Sequence, residues 1–153
     1  MREVVVFSGS AHQPLAHRIC DELGVTLSQT LISRFSNDCL QAQLLANCRQ
    51  RDVYIVQPLV PPTQDSLMEL LLMIDAAKGA SAGMITAVIP HYAYARSDKK
   101  AAPRTSLGGR LVAGRHAAID GEWQTHERVA EKQAVDMRQR QHAFDAPVDE
   151  RVQ

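Results

Sequence analysis

Three short runs of β-branched and aliphatic residues divide this sequence, and each run ends at turn-forming residues. The runs are Val4–Phe7, Asp52–Gln57 and Met84–Pro90. Their length and composition are typical of buried β-strands. Helical segments follow the runs, and strands that alternate with helices form parallel sheets through right-handed crossovers. The sequence therefore predicts an α/β fold with a doubly wound, mainly parallel sheet flanked by helices.

Helix signals follow the first run. Pro14 suits the first turn of a helix, and Gly24 suits its end. Between them Leu15, Ile19 and Leu23 recur at four-residue spacing, which predicts one apolar helix face.

The second helix has the clearest start signal in the chain. Ser66-Leu67-Met68-Glu69 has the form of a capping box, and Gly79 offers an end. The apolar surface of this segment is broad, and we expect part of it to be an oligomer contact.

Two smaller features complete the pattern. Leu31–Phe35 and Leu40–Leu44 flank the turn-forming Ser36-Asn37-Asp38, which predicts a small hairpin. Thr105 or Ser106 is expected to cap a third helix.

Composition narrows the class of protein. Lys and Arg number 17 and so do Asp and Glu, which gives a formal net charge of +0. No overall charge therefore draws the chain to nucleic acid or to an anionic membrane. The longest apolar stretch falls far short of the roughly 20 residues that cross a bilayer. The start of the chain lacks a signal-peptide pattern, and the cysteines lack paired spacing, so we expect a cytoplasmic protein.

The last quarter of the chain differs in character. Residues 114–153 are rich in Arg, Gln, Glu and His and poor in large apolar residues. We expect one domain over residues 1–113 and a polar, divergent tail over 114–153 that is mobile or depends on a partner.

The turns that follow strands are the places to search for a ligand site, because ligands bind beyond the carboxyl ends of strands in open α/β sheets. Ser8-Gly9-Ser10 either presents backbone N–H groups to a phosphate or forms a plain tight turn. Arg34-Phe35-Ser36-Asn37 offers an aromatic ring and polar donors to a base; the alternative is that Phe35 belongs to the core.

The segment after the third run has the composition that most strongly indicates a binding site. It reads HYAYARSDKK over residues 91–100, and with Arg104 it sets four cations against one acid. A local positive cluster in a neutral molecule suits a polyphosphate, and a solvated charged loop is the alternative. No spacing in the chain is typical of a zinc site or a Ser-His-Asp triad, so we assign no metal ligand and no catalytic residue.

Longer strings extend these motifs. They are FSGSAH at 7–12, RFSND at 34–38, NCRQRDVYIVQP at 47–58, LMELLLMIDAAKGASA at 67–82, ITAVIPHYAYARSDKK at 85–100 and PRTSLGGRLVA at 103–113. Over residues 1–113 the chain resembles ribose-phosphate diphosphokinase, also called phosphoribosyl pyrophosphate synthetase. The resemblance implies a phosphoribosyltransferase-like fold, a longer enzyme with two such domains, and a homo-oligomer.

The resemblance also implies a reaction and residue roles. The family transfers diphosphate from magnesium-bound ATP to ribose 5-phosphate, so ATP and Mg are the implied ligand and cofactor. Phe35 and Asn37 match a loop that reaches the adenine of an ATP held mainly by a neighbouring subunit, and Arg96 matches an arginine beside the nucleotide. Arg49 and Ser81 match positions for regulatory phosphate or ADP. We expect the nucleotide-binding residues to be Phe35, Asn37, Arg96, Ser97, Lys99 and Lys100.

Several positions depart from the family pattern. Cys39 replaces a common glutamate, Ser97 a frequent glutamine and Ala101 a usual aspartate. In the residues after Ala113 the metal-associated D-L-H signature is not recognisable, and we expect the second domain that would hold ribose 5-phosphate to be missing.

These features support a leading hypothesis and an alternative. We expect the N-terminal ATP-binding domain of a ribose-phosphate diphosphokinase, truncated and inactive alone, in a homo-oligomer or a hetero-oligomer with a full-length relative. The alternative is a non-catalytic regulatory or assembly partner that docks on a full-length enzyme through the helix at 67–79. A nucleic-acid binder using residues 96–104 is least favoured, because the overall charge is neutral. We expect neither nucleic acid nor a membrane as partner.

Overall fold

The computed structural model describes residues 3–119 of the chain. In that range the elements in chain order are β1 (Val4–Ser8), α1 (Gln13–Leu23), β2 (Leu27–Ser28), β3 (Thr30–Arg34), β4 (Leu40–Leu44), β5 (Asp52–Val56), α2 (Thr63–Gly79), β6 (Met84–Val88) and α3 (Gly108–Ile119). No helix in this range is long and apolar enough to cross a membrane.

Four strands form one parallel sheet in the order β2-β1-β5-β6. Successive side chains of a strand point to opposite faces of the sheet. Val6 of β1 therefore packs with Ala16 and Cys20 of α1, whereas Phe7 packs on the other face in the cluster that contains Leu70 of α2. Helices cover both faces, which confirms the predicted α/β fold with a mainly parallel, doubly wound sheet.

Helix α1 has the predicted boundaries but a different buried face. The imidazole of His12 accepts a hydrogen bond from the Leu15 N–H at 3.1 Å. Gly24, at φ 67°, ends the helix in the left-handed conformation that favours glycine. The fully buried residues are the small Ala16 and Cys20, which let the helix approach the strands closely, while Leu23 is 63% exposed. The predicted apolar face is therefore wrong at Leu23.

Helix α2 begins before the predicted capping box. Its first residue is Thr63, three positions ahead of Ser66, and no side chain caps it. The Ser66 hydroxyl donates to the Val60 carbonyl at 2.9 Å instead of capping the helix. Glu69 is buried and points to the sheet, so its carboxylate does not reach back to the helix start. The capping-box interpretation is wrong because both side chains have tertiary partners.

The predicted hairpin is confirmed. Strands β3 and β4 pair antiparallel, with Arg34 opposite Leu40. The side chains that face inward, among them Ile32 and Leu44, pack against the cluster around α2. Because only one face of this two-stranded sheet is covered, Leu31 on the other face stays exposed.

Helix α3 starts later than Thr105 or Ser106, at Gly108, and continues across residue 113 to Ile119. Val112 joins the core cluster of α2. Residues 120–153 lie outside the described range, so the division into a domain of residues 1–113 and a tail of residues 114–153 stays a prediction.

Candidate functional site

The carboxyl ends of the parallel strands meet at one edge of the sheet. There the Gly9 N–H donates to the Val56 carbonyl at 3.2 Å, which joins the exits of β1 and β5. The Gln57 N–H donates to the Val88 carbonyl at 3.0 Å, which joins the exits of β5 and β6. The turn after β1 and the loop after β6 therefore lie at the edge where α/β proteins bind ligands.

Glu69 of α2 organises this edge, and sequence reasoning missed it. Its carboxylate accepts the Ser10 N–H at 2.9 Å and the Ser10 hydroxyl at 2.7 Å. The Gln57 amide Nε2 donates to the same carboxylate at 2.9 Å. A glutamate within an apolar helix surface is the signal that could have revealed it, because a buried carboxylate requires hydrogen-bond donors.

The turn after β1 is a tight structural turn. Its successive N–H groups are already bonded: Gly9 to Val56, Ser10 to Glu69, and Ala11 to Gln57 Oε1 at 3.4 Å. A Cβ on Gly9 would lie 2.3 Å from Gln57 Oε1, so only glycine fits. With these donors occupied, the structure favours the plain-turn interpretation over a phosphate cradle.

The hairpin turn presents its aromatic ring to solvent. Phe35 is 54% exposed, so the alternative that it belongs to the core is wrong. The Phe35 N–H donates to the Cys39 carbonyl at 2.8 Å, and Asn37 Oδ1 accepts the Cys39 N–H at 3.2 Å. Asp38 takes a positive φ of 69°, which lets the chain reverse direction. The turn is ordered by its own hydrogen bonds and exposes Phe35 and Asn37.

Arg34 ties this turn to helix α2. Its guanidinium donates to Asp38 Oδ1 at 2.6 Å and also pairs with Asp65, in the first turn of α2. The hydrogen bonds that Arg34 donates to the carboxylates of Asp38 and Asp65 raise the pKa of Arg34 above its ordinary value.

The loop after β6 carries the predicted cations on its surface. Arg96, Ser97, Lys99 and Lys100 are all exposed. The Ser97 N–H donates to the Tyr94 carbonyl at 2.9 Å, which closes a turn that contains Arg96. These side chains are therefore open to a ligand at the carboxyl edge of the sheet.

The base of this loop is anchored on the start of α3. The Tyr92 hydroxyl donates to the Gly109 carbonyl at 2.6 Å, and burial raises the pKa of that hydroxyl. A Cβ on Gly108 would lie 2.9 Å from the Tyr94 ring, and one on Gly109 would lie 2.9 Å from the Tyr94 carbonyl oxygen. Paired glycines, which disfavour a helix start by propensity, are here required by the close approach of the loop.

The structure does not join the two parts of the predicted nucleotide site directly. Within residues 3–119, no hydrogen bond or ion pair links Phe35 or Asn37 to Arg96. Each part is exposed, and each is held by its own contacts.

The two predicted regulatory positions are brought side by side. Arg49 pairs with Ala82 in an isolated antiparallel bridge, and the Gln50 N–H donates to the Ser81 carbonyl at 2.8 Å. Ser81 takes a positive φ of 59°. These segments enter β5 and β6, so Arg49 and Ser81 lie at the amino edge of the sheet, opposite the loop that carries Arg96.

Other reactive groups are scattered in the described part of the chain. Cys20 and Cys48 are buried, which raises the pKa of both thiols, and Cys39 is exposed. Among residues 3–119 no group of three or more His, Cys, Asp or Glu side chains could hold a metal ion.

These features define an α/β domain whose exposed polar loops follow the strands of a parallel sheet. Residues 4–117 match the family model for the N-terminal domain of ribose phosphate pyrophosphokinase. The chain belongs to this family, which confirms the resemblance drawn from its motifs.

Named relatives show how far the similarity extends. The chain is 56% identical over 110 residues to ribose-phosphate pyrophosphokinase of Deinococcus radiodurans. The aligned residues make up 72% of this chain and 34% of that protein. It is 38% identical over 151 residues to the enzyme of the same name from Xanthomonas campestris. This alignment covers 97% of this chain and 45% of that protein.

A solved structure shares the fold. The crystal structure of phosphoribosylpyrophosphate synthetase from Mycobacterium smegmatis matches with a TM-score of 0.75 at 35% identity, over 78% of this chain and 40% of that one. The chain thus spans less than half the length of these relatives.

Proposed function

We propose that this chain is the ATP-binding N-terminal part of a ribose-phosphate diphosphokinase. The whole enzyme would transfer the diphosphate of Mg-ATP to ribose 5-phosphate and release AMP and phosphoribosyl pyrophosphate. The observation that carries the proposal is the exposed cationic loop of residues 96–100, anchored by Tyr92 and Tyr94 at the carboxyl edge of the sheet.

The side chains suit the separate parts of a nucleotide. Arg96, Lys99 and Lys100 supply positive charge for the phosphates, and Ser97 supplies a hydroxyl donor. The exposed Phe35 ring offers a stacking surface for adenine. Asn37 uses its Oδ1 within the turn, and because the residue is exposed, its amide N–H groups can serve as donors to ring nitrogens.

Magnesium would arrive with ATP. Because residues 3–119 contain no cluster of three candidate metal ligands, we assign the ion no protein ligand in this range. When bound, the ion would neutralise charge on the triphosphate oxygens.

The site would be completed by assembly. Phe35 and Asn37 lie on the hairpin, and Arg96 lies on a separate loop that shares no hydrogen bond with them in the described range. We propose that these two parts meet across copies of the chain, or between the chain and a full-length relative. Arg49 and Ser81, at the opposite edge of the sheet, would bind a regulatory phosphate.

Titration with Mg-ATP tests the nucleotide site. Arg96→Ala should weaken binding roughly tenfold, because it removes a charge-assisted hydrogen bond. Arg49→Ala should weaken this binding less than Arg96→Ala does, since Arg49 lies at the other edge of the sheet, outside the proposed nucleotide site. Equal effects of the two variants would count against the placement of the site. We expect no turnover of Mg-ATP with ribose 5-phosphate by the 153 residues alone.

A second candidate function is that of a non-catalytic regulatory or assembly partner. It is favoured by Met68, which is 48% exposed on α2 and offers an apolar contact. Mass measurement and Mg-ATP titration, each with and without a full-length family enzyme, distinguish the two. Binding of Mg-ATP only in mixed oligomers would favour the partner function, whereas salt-sensitive RNA binding without Mg-ATP binding would contradict both.

A further inference from the structure

Arg34 stands at the end of β3, immediately before the turn of residues 35–39. One guanidinium nitrogen donates to Asp38 Oδ1 at 2.6 Å and to the Asp38 carbonyl at 3.3 Å. The other nitrogen donates to Asp65, which is 31 positions away in the first turn of α2. One side chain therefore holds the two ends of the turn together and fastens both to a helix. We call Arg34, Asp38 and Asp65 the Arg34 clamp.

The clamp leaves Arg34 unsuited to bind phosphate. Two carboxylates already surround its guanidinium, and together they leave this corner without net positive charge. An arriving phosphate would meet the negative charges of Asp38 and Asp65. Arg34 is therefore engaged in ion pairs within the protein, whereas Arg96 is exposed and open to a ligand.

We propose that Arg34 and Asp65 are positioning residues that hold the turn in the conformation that presents Phe35 and Asn37 to the nucleotide base. A guanidinium can span two carboxylates with its separate N–H groups, whereas a lysine ammonium is a single point charge. The part of this inference that concerns the base rests on the proposed function; the clamp itself does not.

The ligand-free protein tests the clamp. The chain contains three Phe residues, so labelling with 4-fluorophenylalanine gives three fluorine resonances, and Phe35→Leu identifies that of the turn. Asp65→Asn and Arg34→Lys should each shift or split the Phe35 resonance. The matched control is Arg51→Gln, which breaks the partly exposed Arg51–Glu3 ion pair of 2.8 Å and the Arg51 hydrogen bond to the Asn47 carbonyl, and should leave the resonance unchanged. An unchanged Phe35 resonance in Asp65→Asn would overturn the clamp.

Titration of the same proteins with Mg-ATP and with adenosine tests the positioning role. Asp65→Asn should raise the Kd of both ligands about two- to fivefold, as expected for loss of a partly exposed ion pair. Its thermal unfolding midpoint should match that of Arg51→Gln, which separates positioning from general stability. A shifted Phe35 resonance with an unchanged Kd would overturn the positioning role. Absence of Mg-ATP binding by the unmodified chain would contradict the proposed function, while the fluorine spectra would still decide on the clamp.

Discussion

The Glu69 carboxylate accepts hydrogen bonds from both the backbone N–H and the hydroxyl of Ser10, a residue 59 positions earlier in the chain. Through this pair helix α2 holds the turn that follows β1. Gln57, at the exit of β5, donates to the same carboxylate and so joins a second strand to the arrangement. The polar groups under the carboxyl edge of the sheet are therefore satisfied by one another.

Replacement of Glu69 by alanine should destabilise the fold strongly. Glu69 is only 5% exposed, and its loss leaves the donors of Ser10 and Gln57 without their acceptor. Ser10 is exposed and can turn to water, but Gln57 is fully buried. An unsatisfied buried donor costs about 1–3 kcal/mol, so we expect a loss of at least about 1 kcal/mol. Urea unfolding measures it, and Asp75→Ala, at an exposed position of the same helix, should change the free energy by less than about 0.5 kcal/mol. Equal losses in the two variants would contradict this account.

Gly9 should not tolerate a methyl group. Its Cβ would lie 2.3 Å from Gln57 Oε1, and the Gln57 side chain is fully buried and held by hydrogen bonds, so it cannot move away freely. We expect Gly9→Ala to cost about 1–3 kcal/mol by overpacking. Gly79→Ala is the control, because nothing lies within 4 Å of its Cβ and its φ is not positive; it should stabilise α2 by up to about 1 kcal/mol. A Gly9→Ala protein as stable as the parent would show that Gln57 is not fixed.

Tyr92 should make the fold sensitive to alkaline pH. Burial raises its pKa, so the unfolded chain loses the phenolic proton first. Its contribution to stability is fully present below the unfolded tyrosine pKa of about 10 and is lost as pH rises through the higher folded pKa. Tyr92→Phe should therefore reduce the steepness with which the free energy of unfolding falls above about pH 10.

The same variant removes the hydrogen bond to the Gly109 carbonyl. At neutral pH we expect it to cost about 0.5–1.5 kcal/mol. An alkaline profile identical to that of the parent protein would show that Tyr92 is not protected in the folded state.

The cysteines should differ in reactivity. Cys39 is exposed in the hairpin turn, whereas burial raises the pKa of Cys20 and Cys48 and lowers their thiolate fraction. A disulfide reagent at pH 8 should therefore modify one thiol rapidly and the other two only as the protein unfolds. Cys39→Ser should abolish the rapid phase, and a rapid phase that survives would place another cysteine at the surface.

The sequence by itself determined three of the four strands of the parallel sheet, the hairpin and the family, but not the edge strand β2. The runs at Val4–Phe7, Asp52–Gln57 and Met84–Pro90 predict strands because β-branched composition and turn residues act locally. The third run was also expected to be buried, and that is wrong, because β6 lies at the edge of the sheet and is only partly buried. Gly24 likewise marks a helix end through its own backbone freedom. Such signals need no knowledge of distant residues.

Only the tertiary structure decided which side chains serve the site. Ser66 and Glu69 match a local capping pattern, yet their partners are Val60 and Ser10. Phe35 is a large apolar residue of the kind that usually lies in a core. Its exposure depends on which face of the hairpin packs against α2. The physical reason is that hydrogen bonds and burial depend on distances in space. Residues far apart in the chain supply those partners, and short-range sequence patterns carry no record of them.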